Sequence, residues 1–185
     1  MKAFLTLALL LLIAAPTLAE HHEGGESEMP AMGPPAEMKA LAFMLGEWDV
    51  AMDYREGPEG EWVTIAGSAV SKSVLDGCAH RMDFEATLMG MPFKGFDHTT
   101  YNREYGRYES VWMDNMSAKM GIMRGNFEGD ELIMQGPDKM QGMEFLARSV
   151  STKVSNDEIH FAMSMSVDDG ATWFENMKMV YTRKN

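Results

Sequence analysis

The stretch EIHFAMSMSVDDGATWFENMKMVYTR, residues 158–183, decides the fold. Phe161, Met163, Met165 and Val167 alternate with His160, Ala162, Ser164 and Ser166, and beyond Asp169-Gly170 the alternation resumes with Met177, Met179 and Tyr181. Side chains two residues apart share a face only on a strand, so two such runs around a glycine turn read as an antiparallel hairpin. A slip of one residue would turn one apolar row to the outside. Both rows therefore face inward only across a loop with an odd number of residues. A loop over 168–172 sets Met163 opposite Met177 and Phe161 opposite Met179.

Outward from this hairpin, the same rhythm runs back to Trp48. Strands are predicted near 47–55, 61–75, 79–89, 93–101, 106–114, 119–127, 131–135, 142–153, 158–167 and 172–183. The breaks between them include Glu56-Gly57-Pro58-Glu59-Gly60, Asp76-Gly77, Gly90, Gly129-Asp130, Gly136-Pro137-Asp138 and Asp169-Gly170. About ten short strands at even spacing, with no second helical pattern, predict an all-β antiparallel barrel. One short helix precedes it, with Pro35 in its first turn, Met38, Leu41, Ala42 and Leu45 on one face, and Gly46 at its end.

The N-terminal end reads differently. Lys2 is followed by an apolar run from Ala3 to Ala15, and small residues lead to a cut after Ala19. That is the pattern of a secretory signal over residues 1–19, too short to span a bilayer. The absence of a cysteine at the cut leaves no lipid anchor, so the mature chain is expected in the periplasm or the medium. Residues 20–36 hold Gly, Pro and four Glu without Lys or Arg, the composition of a disordered acidic tail. Residues 37–185 are then one domain.

Composition narrows the function further. The formal charge is −12, and no basic cluster exists to neutralise phosphates, which argues against nucleic acid as a partner. Cys78 is the single cysteine, so no intramolecular disulfide forms; it reads as a small packing residue. The 20 methionines are unusual, and thioethers serve both as adaptable packing and as soft metal ligands.

Three segments together resemble a known family. Leu45-Gly46-Glu47-Trp48 is similar to the Gly-x-Trp entry of lipocalin-like (calycin) barrels, in which the tryptophan closes one end beneath an arginine of the last strand; Arg183 stands in that place. Met91-Pro92-Phe93-Lys94-Gly95-Phe96-Asp97, then Tyr108 to Met116, and the ending Lys178-Met179-Val180-Tyr181-Thr182-Arg183-Lys184 resemble the bacterial family called domain of unknown function 1579. The resemblance implies a calycin-like barrel over about 37–184 and brings no activity with it. Nitrobindin relatives of that superfamily bind haem through a histidine, but no matching motif surrounds His80, His98 or His160.

Candidate functional residues are few. Ser166-Val167-Asp168-Asp169-Gly170-Ala171-Thr172-Trp173 fits the Asp-box pattern of sialidases, which there is a fold element; one copy reads as a turn built on Asp168 and Gly170. The Met-x-Met pairs Met89/Met91, Met163/Met165 and Met177/Met179 would each share a strand face. Asp114, where a strand ends, and Arg124 on the next strand read as a structural ion pair or as a polar pair that orients a ligand group. Nothing resembles a nucleophile–base pair, a phosphate loop or a closed zinc set, so a non-enzyme is expected. The leading reading is an exported barrel that binds a small apolar or amphipathic molecule, lined by Trp112, Met113, Asp114, Arg124, Met163, Met165, Met177 and Met179.

Two alternatives stand beside it. A cut after Ala19 exposes Glu20-His21-His22, whose free amine, two amides and third-residue imidazole would form a square-planar nitrogen set suited to copper, making a copper-handling protein without any cofactor in the barrel itself. Met29 or Met32 could add sulfur. The other is a structural module whose barrel is filled by side chains.

Overall fold

The computed structural model of the protein describes residues 32–184. Ten antiparallel strands close into a barrel, each paired with its neighbours in sequence and the last with the first. They are β1 (Gly46–Tyr54), β2 (Val63–Val74), β3 (Ala79–Leu88), β4 (Met91–Asn102), β5 (Arg107–Asp114), β6 (Met120–Glu128), β7 (Glu131–Met140), β8 (Met143–Lys153), β9 (Glu158–Ser166) and β10 (Phe174–Arg183). Closure removes the unpaired edges that an open sheet of this length would expose. The predicted signal over residues 1–19, the residues Glu20, His21 and His22, and most of the predicted tail lie outside the described residues.

The last hairpin has the predicted register: Met163 faces Met177 and Phe161 faces Met179. Its loop is longer than predicted, however. Ser166 to Thr172 forms a tight turn, and a bulge between Glu175 and Met177 takes up the extra residue, so that Phe174 pairs with Met165. Val167, expected on the inner face, is 69% exposed because the strand has already ended. In the turn, the Asp168 carboxylate accepts from the Thr172 amide at 2.9 Å and its hydroxyl at 2.6 Å. Gly170 takes a φ of +87°, which only glycine adopts freely. Those hydrogen bonds, first from Thr172 and then from Ser166, hold the Asp168 carboxyl down to about 2.

Two further corrections concern the short elements. Gly136-Pro137-Asp138 is not a turn: β7 runs through it, and Pro137 pairs with Leu146 of β8. Proline is tolerated there because the β6–β7 ladder ends at Gln135, so no β6 partner is denied a hydrogen bond. The N-terminal helix is a 3-10 helix, Ala36–Met44. Its side chains repeat every three residues, so Met38, Leu41 and Met44 share the packed face, while Ala42 is exposed.

This helix lies at one end of the barrel. Buried Leu41 packs there with Tyr108, Leu132 and Met134. Beside it, Trp48 is 1% exposed; its indole N–H donates to the Met44 carbonyl at 3.0 Å, and the Arg183 guanidinium lies 4.2 Å above the ring. Arg183 also donates to the Leu45 carbonyl at 2.8 Å and the Asn156 carbonyl at 2.9 Å. One arginine thus ties the helix, the first strand and the β8–β9 loop together. That end is shut.

Candidate functional site

Strand alternation decides what faces the interior. On β1, Trp48, Val50 and Met52 are buried while Glu47 and Asp49 are exposed. The same parity around the barrel leaves a lumen of about 470 Å³ that runs from Trp48 and Tyr181 towards the opposite end, at Leu88, Lys119 and Met140. Ten of its lining side chains are methionines, joined by Phe84, Phe93, Trp112 and Phe161. Phe93 and Trp112 stack at 6.4 Å, and Phe84 meets Phe93 edge-on at 5.9 Å.

Of the residues expected to line a ligand site, Trp112, Asp114, Met163, Met165, Met177 and Met179 reach the lumen. Met113 and Arg124 do not. Met113 follows Trp112 on β5, and neighbours on a strand point to opposite faces, so only one of them can be inside. The expected Asp114–Arg124 pair does not form either. The β5–β6 register sets Arg124 opposite Glu109, with 3.7 Å between the charged groups on the outer wall. Asp114 instead ends β5 and accepts from the Trp112 indole at 3.0 Å and from the Met116 and Ser117 amides at 2.8 and 2.6 Å. Although burial opposes it, these bonds hold its carboxyl below the usual range and keep it ionised.

The pair Met89/Met91 also departs from expectation. Met89 sits in the β3–β4 turn at a φ of +49°, 72% exposed, and Met91 is 53% exposed. With Met116, Met120, Met140 and Met143, all exposed, they surround the end opposite Trp48. Cys78 is half-buried in the β2–β3 connection, away from the lumen.

Trp112 owes its position to a glycine. A Cβ on Gly95 would stand 2.3 Å from the indole Cζ2, so the ring lies where a side chain would otherwise be. Gly95→Ala is expected to push the ring out of the wall and break its bond to Asp114, seen as a loss of near-UV circular dichroism with the far-UV spectrum kept. Unchanged near-UV signal would mean the ring does not depend on that gap.

Four polar groups on one side of the lumen were not anticipated. His80, Thr99 and Ser110 form one layer, because His80 pairs with Thr99 and Thr99 with Ser110 across β3, β4 and β5. Asp97 lies one layer nearer the mouth and accepts from the Thr99 hydroxyl at 2.6 Å and from Ser110. Burial pushes the Asp97 carboxyl up to about 6, and the two hydroxyls pull against that rise. His80 is 5% exposed, and its Nε2 has no hydrogen-bond partner. Burial, then the nearby His98, lowers its imidazole to about 4, so it is neutral at pH 7. Across the lumen, burial and then the Asp97 charge push the Tyr181 phenol up, and its hydroxyl donates to the Met179 sulfur at 3.1 Å. A signal for Asp97 existed: it shares parity with Phe93. The competing row of Phe96 and His98 hid it, since those two pack with Arg81 on the outer wall.

Among the described residues, no group of three or more His, Cys, Asp or Glu is arranged to hold a metal ion. None of their helices is long and apolar enough to cross a membrane.

The family model described as "Protein of unknown function (DUF1579)" matches residues 33–183. The chain belongs to the DUF1579 family. No curated protein matches it. Among solved structures, the DUF1579 chain is similar to the crystal structure of Rv2717c from M. tuberculosis, with a TM-score of 0.62 and 17% identity over 82% of this chain and 99% of that one. At that identity the likeness concerns the fold alone. It agrees with the closed antiparallel barrel of this DUF1579 member.

Proposed function

We propose that this DUF1579 protein is an exported, non-enzymatic barrel that takes up a small apolar or amphipathic molecule. The observation that carries the reading is the lumen itself. A packed barrel of structural purpose would have no use for a space of about 470 Å³, which lies in the range of small-molecule sites, about 300–1,000 Å³. Its wall is mostly apolar with a few convergent polar groups, as such sites are. Methionine suits this role because a flexible thioether adapts to guests of differing shape. The export reading rests on residues 1–19, and the binder reading on the methionine-lined lumen. The copper reading of Glu20, His21 and His22 gains no support from the barrel, whose inward methionines lie among aromatic rings.

Titration with a fluorescent lipophile tests the proposal. Wild-type protein is expected to bind it in the micromolar range, and Met179→Trp, which fills the mid-lumen, to weaken binding about tenfold or more while keeping the far-UV spectrum. A wild-type protein that takes up no lipophilic probe, and releases none in native mass spectrometry, would overturn it.

A further inference from the structure

The wall of the lumen is uneven, and the unevenness has a sign. Asp97 is a carboxylate set into a mostly apolar wall, between Met82 of β3 and Trp112 of β5 in register, and the other lumen carboxylates, Asp114 and Asp138, lie nearer the mouth. Both hydroxyls that reach it, Thr99 and Ser110, donate, which is the arrangement that serves the charged form. Yet among the described residues no Lys or Arg forms an ion pair with it. The two cations that line the lumen are engaged at the mouth: Arg55 donates to the Glu175 and Pro58 carbonyls, and Lys119 pairs with Asp138. Arg81, on the next strand, points outward to Asp83. An anion held in an apolar interior without a counter-charge is costly unless something supplies one.

A second group points the same way. His80 lies on the same inner face as Asp97, on the diagonal of the β3–β4 register, a spacing of roughly 7–8 Å. Its Nε2 is buried and unpartnered, and the ring is uncharged at pH 7, so it adds no competing positive charge. In the tautomer protonated at Nδ1, Nε2 is an acceptor. The carboxylate and that nitrogen would then both seek a donor from the same space. A head group carrying several N–H donors and a positive charge meets both needs, whereas a carboxylate or phosphate head would meet repulsion from Asp97.

We infer that the DUF1579 lumen selects a primary amine with an apolar tail, its ammonium seated on Asp97 and donating towards His80, its tail lying along Trp112, Phe93 and the methionines towards the mouth. This deepens the binding reading above and depends on it. The depth of the site fits the direction: the polar layer of His80, Thr99 and Ser110 lies towards the end shut by Trp48, and the apolar column lies above it. A molecule entering head-first from the opposite end would bury its charge last-found and its tail along the wall.

Competition against one fluorescent lipophile, using dodecylamine, dodecanol and dodecanoate on the wild-type protein, separates the outcomes. Dodecylamine is expected to compete best, by about tenfold over dodecanol, with dodecanoate weakest. In Asp97→Asn, which keeps the size and the bonds from Thr99 and Ser110, the amine's advantage over the alcohol should vanish while dodecanol competes as before. If amine and alcohol compete equally in the wild type, or the carboxylate wins, the inference falls and the apolar binding site stands. If the lipophile itself never binds, the binding reading falls and this one with it. The comparison of head groups on unaltered protein decides the matter even if Asp97→Asn were to fold poorly.

Discussion

Trp48→Ala is expected to cost about 3–5 kcal/mol of stability, read as a large fall in the urea midpoint. The indole is 1% exposed and meets Tyr181 edge-on at 6.5 Å. Truncation would open a cavity under the guanidinium of Arg183 and leave the Met44 carbonyl without its donor. Arg183 would lose the ring beneath it, while the helix Ala36–Met44 would lose one of its ties to β1. Because a domain of this size is stable by only about 5–15 kcal/mol, the variant should sit near the edge of folding at ordinary temperature. A cost under about 1 kcal/mol would show that the shut end is held by the helix packing alone.

The second large effect concerns charge in the lumen. Asp97→Asn is expected to raise stability at pH 7 by up to about 3 kcal/mol, with the gain gone by about pH 4. The folded protein holds this carboxyl at about 6, above its ordinary value of 3.8. Its burial is therefore free of charge cost below 3.8, and stability is lost as pH rises through about 6. His80 works in the opposite sense. Its folded value is lowered from 6.5 to about 4, so its contribution is full above 6.5 and lost as pH falls through about 4. In the wild-type protein the two slopes oppose each other between these values, and stability should be nearly flat there. Removing the Asp97 slope exposes that of His80, so the variant's stability should climb with pH where the wild type's does not. Denaturant titrations from pH 4 to pH 7 would show it; parallel curves would mean that Asp97 is not desolvated by the lumen.

An interior carboxylate whose ionisation is opposed by burial is consistent with a role outside packing. A site evolved only for packing would carry an apolar residue there, as Met82 and Trp112 do on either side. The same carboxylate would become favourable once a cation met it.

How far the residues alone could lead is visible in particular places. Period-two alternation in β9 and β10 was enough to tell which rows face inward, because the wrong parity exposes every apolar side chain, whereas the bulge that brings Met163 against Met177 has no such local signal. Trp48 and Arg183 at the two ends of the domain implied each other through the resemblance to Gly-x-Trp barrels. Local chemistry also made the Asp168–Gly170 turn legible. Other features were beyond local rules. Gly136-Pro137 reads as a turn in any sequence, and only the end of the β6–β7 ladder lets a strand pass through it. Met113 and Trp112 are equally apolar, and the inward one is chosen by the gap at Gly95 on another strand. Asp97 and His80 stand 17 positions apart in the chain. What the sequence by itself determined is the barrel, its strand parity and its methionine-rich interior, since these follow from repeating patterns along one segment at a time. Only tertiary closure decided that the barrel encloses a lumen and that the Asp97 carboxylate shares its inner face with a neutral histidine. Both depend on the separation of strands across the barrel, a distance that no single segment encodes.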